Sequence, residues 1–405
     1  MKENAYFDNA ATSWPKPEPV YRFMDSFFRS HGVNPGRSGS LLALEAEQMI
    51  SDTRRMLARF FGFSGSASRV VFSLNGTDAL NMAIGGLVGN GDHMIITRVE
   101  HNAVLRTANH LERDLGVQVS RIAPDSCGYI SADHIQQAIK NNTRLIVLNH
   151  ASNVIGTVQP LEEVAKVAQD AGITLVVDAA QTAGVLPINM DELGIGVLTF
   201  PGHKGLFGPM GIGGLVVSEA VELSPIRYGG TGVDSLSTFQ PEVYPYRLEA
   251  GTVSVPGIAG LHAAQKWFRE LGAELDHADT SAADEYEICV RATNHIHAIE
   301  MGHLKRIESK LREYPSVQIA GNARDDARVA TISFTVNGVD TQQIADELDA
   351  DFQICARAGL QCAPLVHVDA GTADAGGTVR LSPGFFTDEE DMQQLLTALD
   401  SILKS

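Results

Sequence analysis

TRLIVLNH (residues 143–150), PLEEVAKVAQDAG (160–172) and ITLVVDAA (173–180) read as a strand, an amphipathic helix and a second strand. Both strands are continuous apolar runs of the kind buried on two faces, and Leu161, Val164, Val167 and Ala168 share one helix face before Gly172 stops it. This is a βαβ unit. Runs of the same type stand on either side: RVVFS (69–73), HMIITR (93–98), GVLTF (196–200) and IGGLVVS (212–218), separated by helical patterns. A mainly parallel sheet covered by helices is therefore expected over about residues 70 to 220. After Gly257 the pattern changes to a long helical region, about Ile258 to Tyr314, then strand-like VATISFTV (329–336), a helix TQQIADELDA (341–350), and a further strand and final helix. This predicts a second, smaller α+β domain. The glycine-rich YGGTGVDSLS (228–237) reads either as a linker between the two or as a loop that builds a site.

A chain of 405 residues is long for one core and suits two domains. Its net charge of −18 argues against nucleic acid and anionic membrane as partners, since both would repel it. A small-molecule substrate is the default. No apolar run reaches the roughly 18 to 20 residues that span a bilayer, and MKENAYFDNAA lacks the basic and apolar regions of a signal peptide, so a cytoplasmic protein is expected. Four cysteines, Cys127, Cys289, Cys355 and Cys362, include no CxxC pair and are read as free thiols, with no metal site expected.

Four features fall just beyond predicted strand ends, where open α/β sheets bind ligands. SLNGTDALN (73–81) opens a helix at Gly76 and Thr77, offering backbone N–H groups to a phosphate, although such a junction also begins ordinary helices. Asp178 ends a buried strand and needs a cation or a set of hydrogen bonds; a protonated pyridine nitrogen meets that need, and so does a helix cap. PGHKG (201–205) places Lys204 beyond another strand, where desolvation can strip its proton. The interval of 26 residues from Asp178 (204 − 178), about one helix plus one strand, lets the two face each other from neighbouring strands. A carboxylate for a pyridine nitrogen and an amine for an aldehyde are the anchors of a pyridoxal phosphate (PLP) site. In EHNAV (100–104), His101 is either a ring that stacks on such a cofactor or a satisfied loop histidine.

These motifs, with YFDNAATSWPKP (6–17), HASNVIG (150–156), VDAAQTAG (177–184), GHKGLFGPMGIG (202–213), LEAGTVSVPGIAGL (248–261) and RAGLQCAP (357–364) in order, resemble the class V aminotransferase family over nearly the whole chain. Within that family they resemble the cysteine desulfurases and selenocysteine lyases. The resemblance implies the PLP-dependent transferase fold-type I: a large PLP-binding domain (18–268) with a mainly parallel seven-stranded-type sheet, a small α+β domain (1–17 and 269–405) carrying Cys362 and Arg380, and a homodimer. It implies that Lys204 forms the Schiff base, Asp178 meets the pyridine nitrogen, Gln181 donates to the ring oxygen and His101 stacks on the ring. Gly76, Thr77 and His203 would hold the phosphate, and Thr252 would reach the phosphate of the other subunit. Asn153 and Arg380 would hold the substrate carboxylate.

Cys362 occupies the place of the family's sulfur-accepting thiol, which implies conversion of L-cysteine to L-alanine with a persulfide left on Cys362 for an acceptor protein. Taken alone, a cysteine among apolar residues is more often an inert buried thiol. Three positions depart from the family pattern: Pro201 stands where many relatives have a phosphate-binding serine, Ser40 where a histidine is common, and Ser254 where an asparagine is frequent. The alternatives are therefore a lyase, epimerase or transaminase acting on another amino acid with Cys362 inessential, or a fold that binds PLP without turnover.

Overall fold

The computed structural model describes residues 4–35, 39–275, 284–321 and 327–404. The chain opens with β1 (Ala5–Tyr6), α1 (Glu18–His31) and α2 (Leu41–Phe60). Next come β2 (Val70–Ser73), α3 (Gly76–Gly85), β3 (His93–Thr97), α4 (Asn102–Leu115), β4 (Gln118–Ile122) and α5 (Ala132–Gln137). They are followed by β5 (Thr143–Asn149), α6 (Leu161–Ala171), β6 (Thr174–Asp178), β7 (Val197–Pro201) and β8 (Gly213–Val217). Beyond a long connection lie α7 (Val255–Glu274), α8 (Glu285–Leu311), β9 (Val317–Ile319), β10 (Ile332–Val336) and α9 (Thr341–Ala350). The chain closes with β11 (Ile354–Cys355), β12 (Arg357–Gly359), α10 (Pro364–Asp369), β13 (Thr378–Leu381) and α11 (Glu389–Leu403).

Seven strands form the central sheet in the order β2-β8-β7-β6-β5-β3-β4. Only β8 runs against its neighbours, so the expected mainly parallel α/β sheet is present. The six strands read from sequence are the apolar ones, whose side chains are covered by helices on both faces. The seventh, β4, is an edge strand of sequence QVSRI, partly exposed along its length, and an edge needs no apolar run.

The expected helix between Asp178 and Lys204 is absent: residues 179–196 form successive turns, such as Ala183 N–H to Ala179 O at 2.8 Å. Gly184 explains part of this. It adopts φ +85°, and a Cβ there would stand 2.2 Å from the Gly205 carbonyl oxygen, so the turn lies directly against the loop that carries Lys204. A helix, with its side chains, would not approach so closely.

The C-terminal region builds a second core on an antiparallel sheet, β12-β13-β10-β9. β1 joins it by pairing in parallel with β11, and Phe7 is buried among its side chains. The expected long helical region is two helices, with residues 276–283 outside the described residues. α8 belongs to both cores: Cys289, Ala292 and Ile296 pack into the large one, and Met301, Leu304, Ile307 and Leu311 into the small one. The stretch 228–237 precedes α7, whose Val255, Ile258 and Leu261 are part of the large core; it is a surface loop of that body and not an interdomain linker. No helix among the described residues is long and apolar enough to cross a membrane.

Candidate active site

The C-terminal ends of β3, β5, β6 and β7 open onto a pocket of about 240 Å³, closed on its other side by the small domain. Gly76, Thr77, His101, Asn153, Asp178, Gln181, His203, Lys204, Cys362 and Arg380 all line it. Thr252 does not. It is exposed in a separate cleft beside Asn34 and the buried Arg54–Glu249 ion pair, so it adds nothing to the pocket of its own chain.

Asp178 is the last residue of β6, and β7 lies beside it in parallel, with Thr199 as the register partner of Asp178. Lys204 follows the end of β7 by three residues, which brings its amine back towards that carboxylate. Burial pulls the Lys204 amine down to about 8, opposed by the Asp178 charge. Burial also raises Asp178, while the Ala180 N–H at 2.9 Å and the Lys204 charge hold it down. Its side chain thus caps a turn, and no helix begins there.

His101 is a satisfied loop histidine that also borders the pocket. It is the N-cap of α4, its Nδ1 accepting from Ala103 N–H at 3.0 Å, and its ring faces the pocket. Burial, then the Lys204 charge, pull it down to about 4, so the ring is neutral with its proton on Nε2. His203 is pulled down to about 4 by burial and by the charges of Lys204 and Lys16. Gln181 donates to the Ala10 carbonyl at 3.0 Å. The start of α3 is capped by Asn75, whose Oδ1 accepts from Asp78 N–H at 2.9 Å, leaving Gly76 and Thr77 at the positive end of the helix.

The small domain supplies the other wall. Arg380, only 1% exposed, donates to the Asn153 carbonyl at 2.9 Å and pairs with Asp8. Much of its guanidinium is committed within the protein, an arrangement hidden in the sequence because Asp8 and Arg380 are 372 residues apart. Asn153 Nδ2 donates to the Gln361 carbonyl at 2.6 Å. Cys362 is exposed at the pocket mouth, with Sγ 4.0 Å from Arg357 Nη2. Gln361 and Cys362 both adopt left-handed φ, 40° and 61°, a conformation that costs about 1 kcal/mol or more per residue and needs external support. Asn102 N–H to Cys362 O at 2.7 Å and Gln361 Nε2 to Thr378 O at 2.8 Å provide it. Cys355 is half-buried on β11, its thiol raised by burial.

Sequence reasoning missed Asp8, Arg357 and Glu100. Glu100 is fully buried beneath the pocket floor, its Oε1 accepting from Thr97 Oγ1 at 2.8 Å and Asn149 N–H at 3.0 Å. Burial first, and the Asp178 charge in addition, raise it to about 8. Glu100 therefore keeps its proton at neutral pH. Because the folded-state value lies above the unfolded one, Glu100 adds stability at low pH that is lost as pH rises from about 4.5 towards about 8. Glu100→Gln, which does not titrate, is expected to gain melting temperature relative to wild type between pH 5 and pH 8, measured by circular dichroism.

The departures from the family pattern have local explanations. Ser40 caps α2 and Ser254 caps α7, each through its hydroxyl. Pro201 ends β7 opposite Gly213 and lies against Gly76.

Several pocket-lining atoms are buried without a hydrogen-bond partner: His203 Nδ1, Asn149 Oδ1, Asn153 Oδ1 and Arg380 Nε. Each such group costs about 1–3 kcal/mol unless a ligand satisfies it. The donor set suits a ring with a basic nitrogen over Asp178, a carbonyl carbon at Lys204 and an anionic group at the start of α3. A larger cleft, about 920 Å³, lies between Asp125 and Asp374 and, among the described residues, is lined by no lysine, arginine, histidine or cysteine.

The sequence profile of the aminotransferase class V family matches residues 5–289 and 291–395. The chain is similar to a probable cysteine desulfurase of Methanothermobacter thermautotrophicus, 30% identical over 99% of this chain and 95% of the relative. A cysteine desulfurase of Haloferax volcanii is 29% identical over 98% of this chain and 88% of that protein. Among solved structures, the apo cysteine desulfurase of Thermococcus onnurineus superposes with a TM-score of 0.87 at 30% identity, covering 99% of this chain and 95% of that one.

Proposed function

The chain belongs to the aminotransferase class V family, and from that premise we propose that it is a PLP-dependent cysteine desulfurase, converting L-cysteine to L-alanine and taking the sulfur onto Cys362. The observation that carries this reading is one pocket shared by the Lys204 amine, the Asp178 carboxylate and the exposed Cys362 thiol.

PLP, when bound, supplies an electron sink for negative charge developing at the substrate Cα. Lys204 would hold the cofactor aldehyde, Asp178 its ring nitrogen and Gln181 its ring oxygen, with His101 beside the ring and Gly76, Thr77 and His203 holding the phosphate. Arg380 and Asn153 hold the substrate carboxylate through the atoms they have not already committed, with the Arg357 guanidinium beside them. The Lys204 amine, held near 8 by burial, would take the substrate Cα proton and later return one. His101 offers its Nε2 proton as a neutral donor.

The Cys362 thiolate then attacks the substrate sulfur: the S–S bond forms as Cβ–S breaks, the electron pair stays with Cβ, and a proton completes alanine. Thiol plus cysteine gives persulfide plus alanine, so no external oxidant or reductant is required. Selenocysteine presents the same geometry with a weaker carbon–chalcogen bond and is a second substrate. The protein works in the cytoplasm as a homodimer and passes its sulfur to an acceptor protein. Dimerisation is supported by the exposed Thr252 and by apolar side chains left in solvent nearby in sequence, Leu236 at 99% and Phe239 at 84% exposure.

The test is alanine release from L-cysteine by PLP-saturated protein. Stoichiometric or catalytic alanine supports the reading; a protein that binds PLP and releases no alanine rejects it.

A further inference from the structure

The carbonyl oxygen of His203, immediately before Lys204, receives an unusual number of donors from the N-terminal segment. Ser13 N–H lies at 3.1 Å, Thr12 Oγ1 at 3.0 Å and Lys16 Nζ at 2.6 Å. The same segment holds the next carbonyl: Ser13 Oγ donates to Lys204 O at 2.8 Å, and Lys16 Nζ lies 2.7 Å from that hydroxyl. Residues 10–16 thus form a strap across the outside of the loop whose side chains, His203 and Lys204, enter the pocket. The strap is anchored in turn by Ala10, through Ser382 Oγ at 2.9 Å and Gln181 Nε2 at 3.0 Å.

Lys16 is the costly member. No carboxylate among the described residues pairs with it, and burial pulls its amine down to about 7. A partly buried ammonium spent on a carbonyl and a hydroxyl is a poor way to stabilise a fold, since an apolar side chain of similar length would avoid the desolvation. Its return is directional: charge-assisted hydrogen bonds are about twice as strong as neutral ones and fix the plane of the peptide that they reach. The peptide in question joins His203 to Lys204, and rotating it swings both side chains. A displacement of about 1 Å at a reacting group can cost on the order of 100-fold in rate.

We propose that Lys16 is a positioning residue for Lys204: its ammonium, with the Thr12 and Ser13 hydroxyls, pins the His203 carbonyl and sets the direction in which the Lys204 amine and His203 ring enter the pocket. The proposal rests on the reading of Lys204 as the cofactor-bearing lysine.

The test uses the PLP-loaded protein and its Lys16→Met and Lys16→Arg variants, following the pH midpoint of the bound-cofactor absorbance and the rate of cofactor loss. Lys16→Met is expected to move the midpoint by about half a pH unit or more and to speed cofactor loss about tenfold, the equivalent of one charged hydrogen bond. Lys16→Arg, which keeps the charge and the donors, restores both. Wild-type midpoint and loss rate in Lys16→Met, or an arginine variant no better than methionine, overturns the proposal. Should Lys16→Met fail to fold, Ser13→Ala decides: a shifted midpoint supports the strap and an unchanged one rejects it. Wild-type protein that binds PLP but releases no alanine would sink the proposed reaction while leaving the role of Lys16 standing.

Discussion

Lys204→Ala is expected to abolish alanine release from L-cysteine, by at least about 10³-fold, because the group that carries the cofactor and moves the Cα proton is lost together. The visible band of cofactor joined to the protein should disappear from the spectrum, although PLP can still occupy the pocket through Asp178, Gln181 and the α3 terminus. The fold should survive: burial already penalises the charged Lys204 amine, pulling it down to about 8, so its removal relieves a desolvation cost. Asp178 loses one neighbouring charge and keeps the Ala180 N–H. Absorbance and alanine assays on the same preparation check this, and a wild-type cofactor spectrum in the variant would remove Lys204 from its role.

Cys362→Ala is expected to lower alanine formation about 10²-fold or more while leaving the cofactor spectrum and melting curve unchanged. The separation follows from where the thiol sits. Cys362 is exposed, and its Sγ lies 4.0 Å from Arg357 Nη2. Its left-handed φ is disfavoured by a Cβ, which cysteine and alanine share, so alanine brings no new strain. Undiminished alanine formation in this variant, or full turnover of another amino acid, would favour a different class V reaction with Cys362 as a bystander.

The fold was legible where burial on both faces forces a continuous apolar run. HMIIT, TRLIVLN, TLVVD and GGLVV could be little else, whereas QVSRI at the sheet edge has one neighbour only and carries no such signature. The helix expected after Asp178 failed because an interval of 26 residues fixes a distance and not a conformation. Gly184, pressed against Gly205, is where the chain turns instead.

In the site, residues adjacent to strand ends were readable because strand direction delivers them to one place. Asp178, His101 and Lys204 are of this kind. The Asp8–Arg380 pair and the hold of Lys16 on the His203 carbonyl join segments far apart in the chain, and no local pattern announces them. Glu100 stood in plain view beside His101, but a glutamate is ordinarily exposed, and only its complete burial reveals that Asp178 sits over a protonated acid.

The most direct measurement is mass spectrometry of the peptide bearing Cys362 after brief exposure of PLP-loaded protein to L-cysteine, alongside alanine released. One sulfur atom added at Cys362 for each alanine formed in the first turnover is the predicted result. Alanine appearing without sulfur on Cys362, in protein trapped before any acceptor is added, would contradict the account.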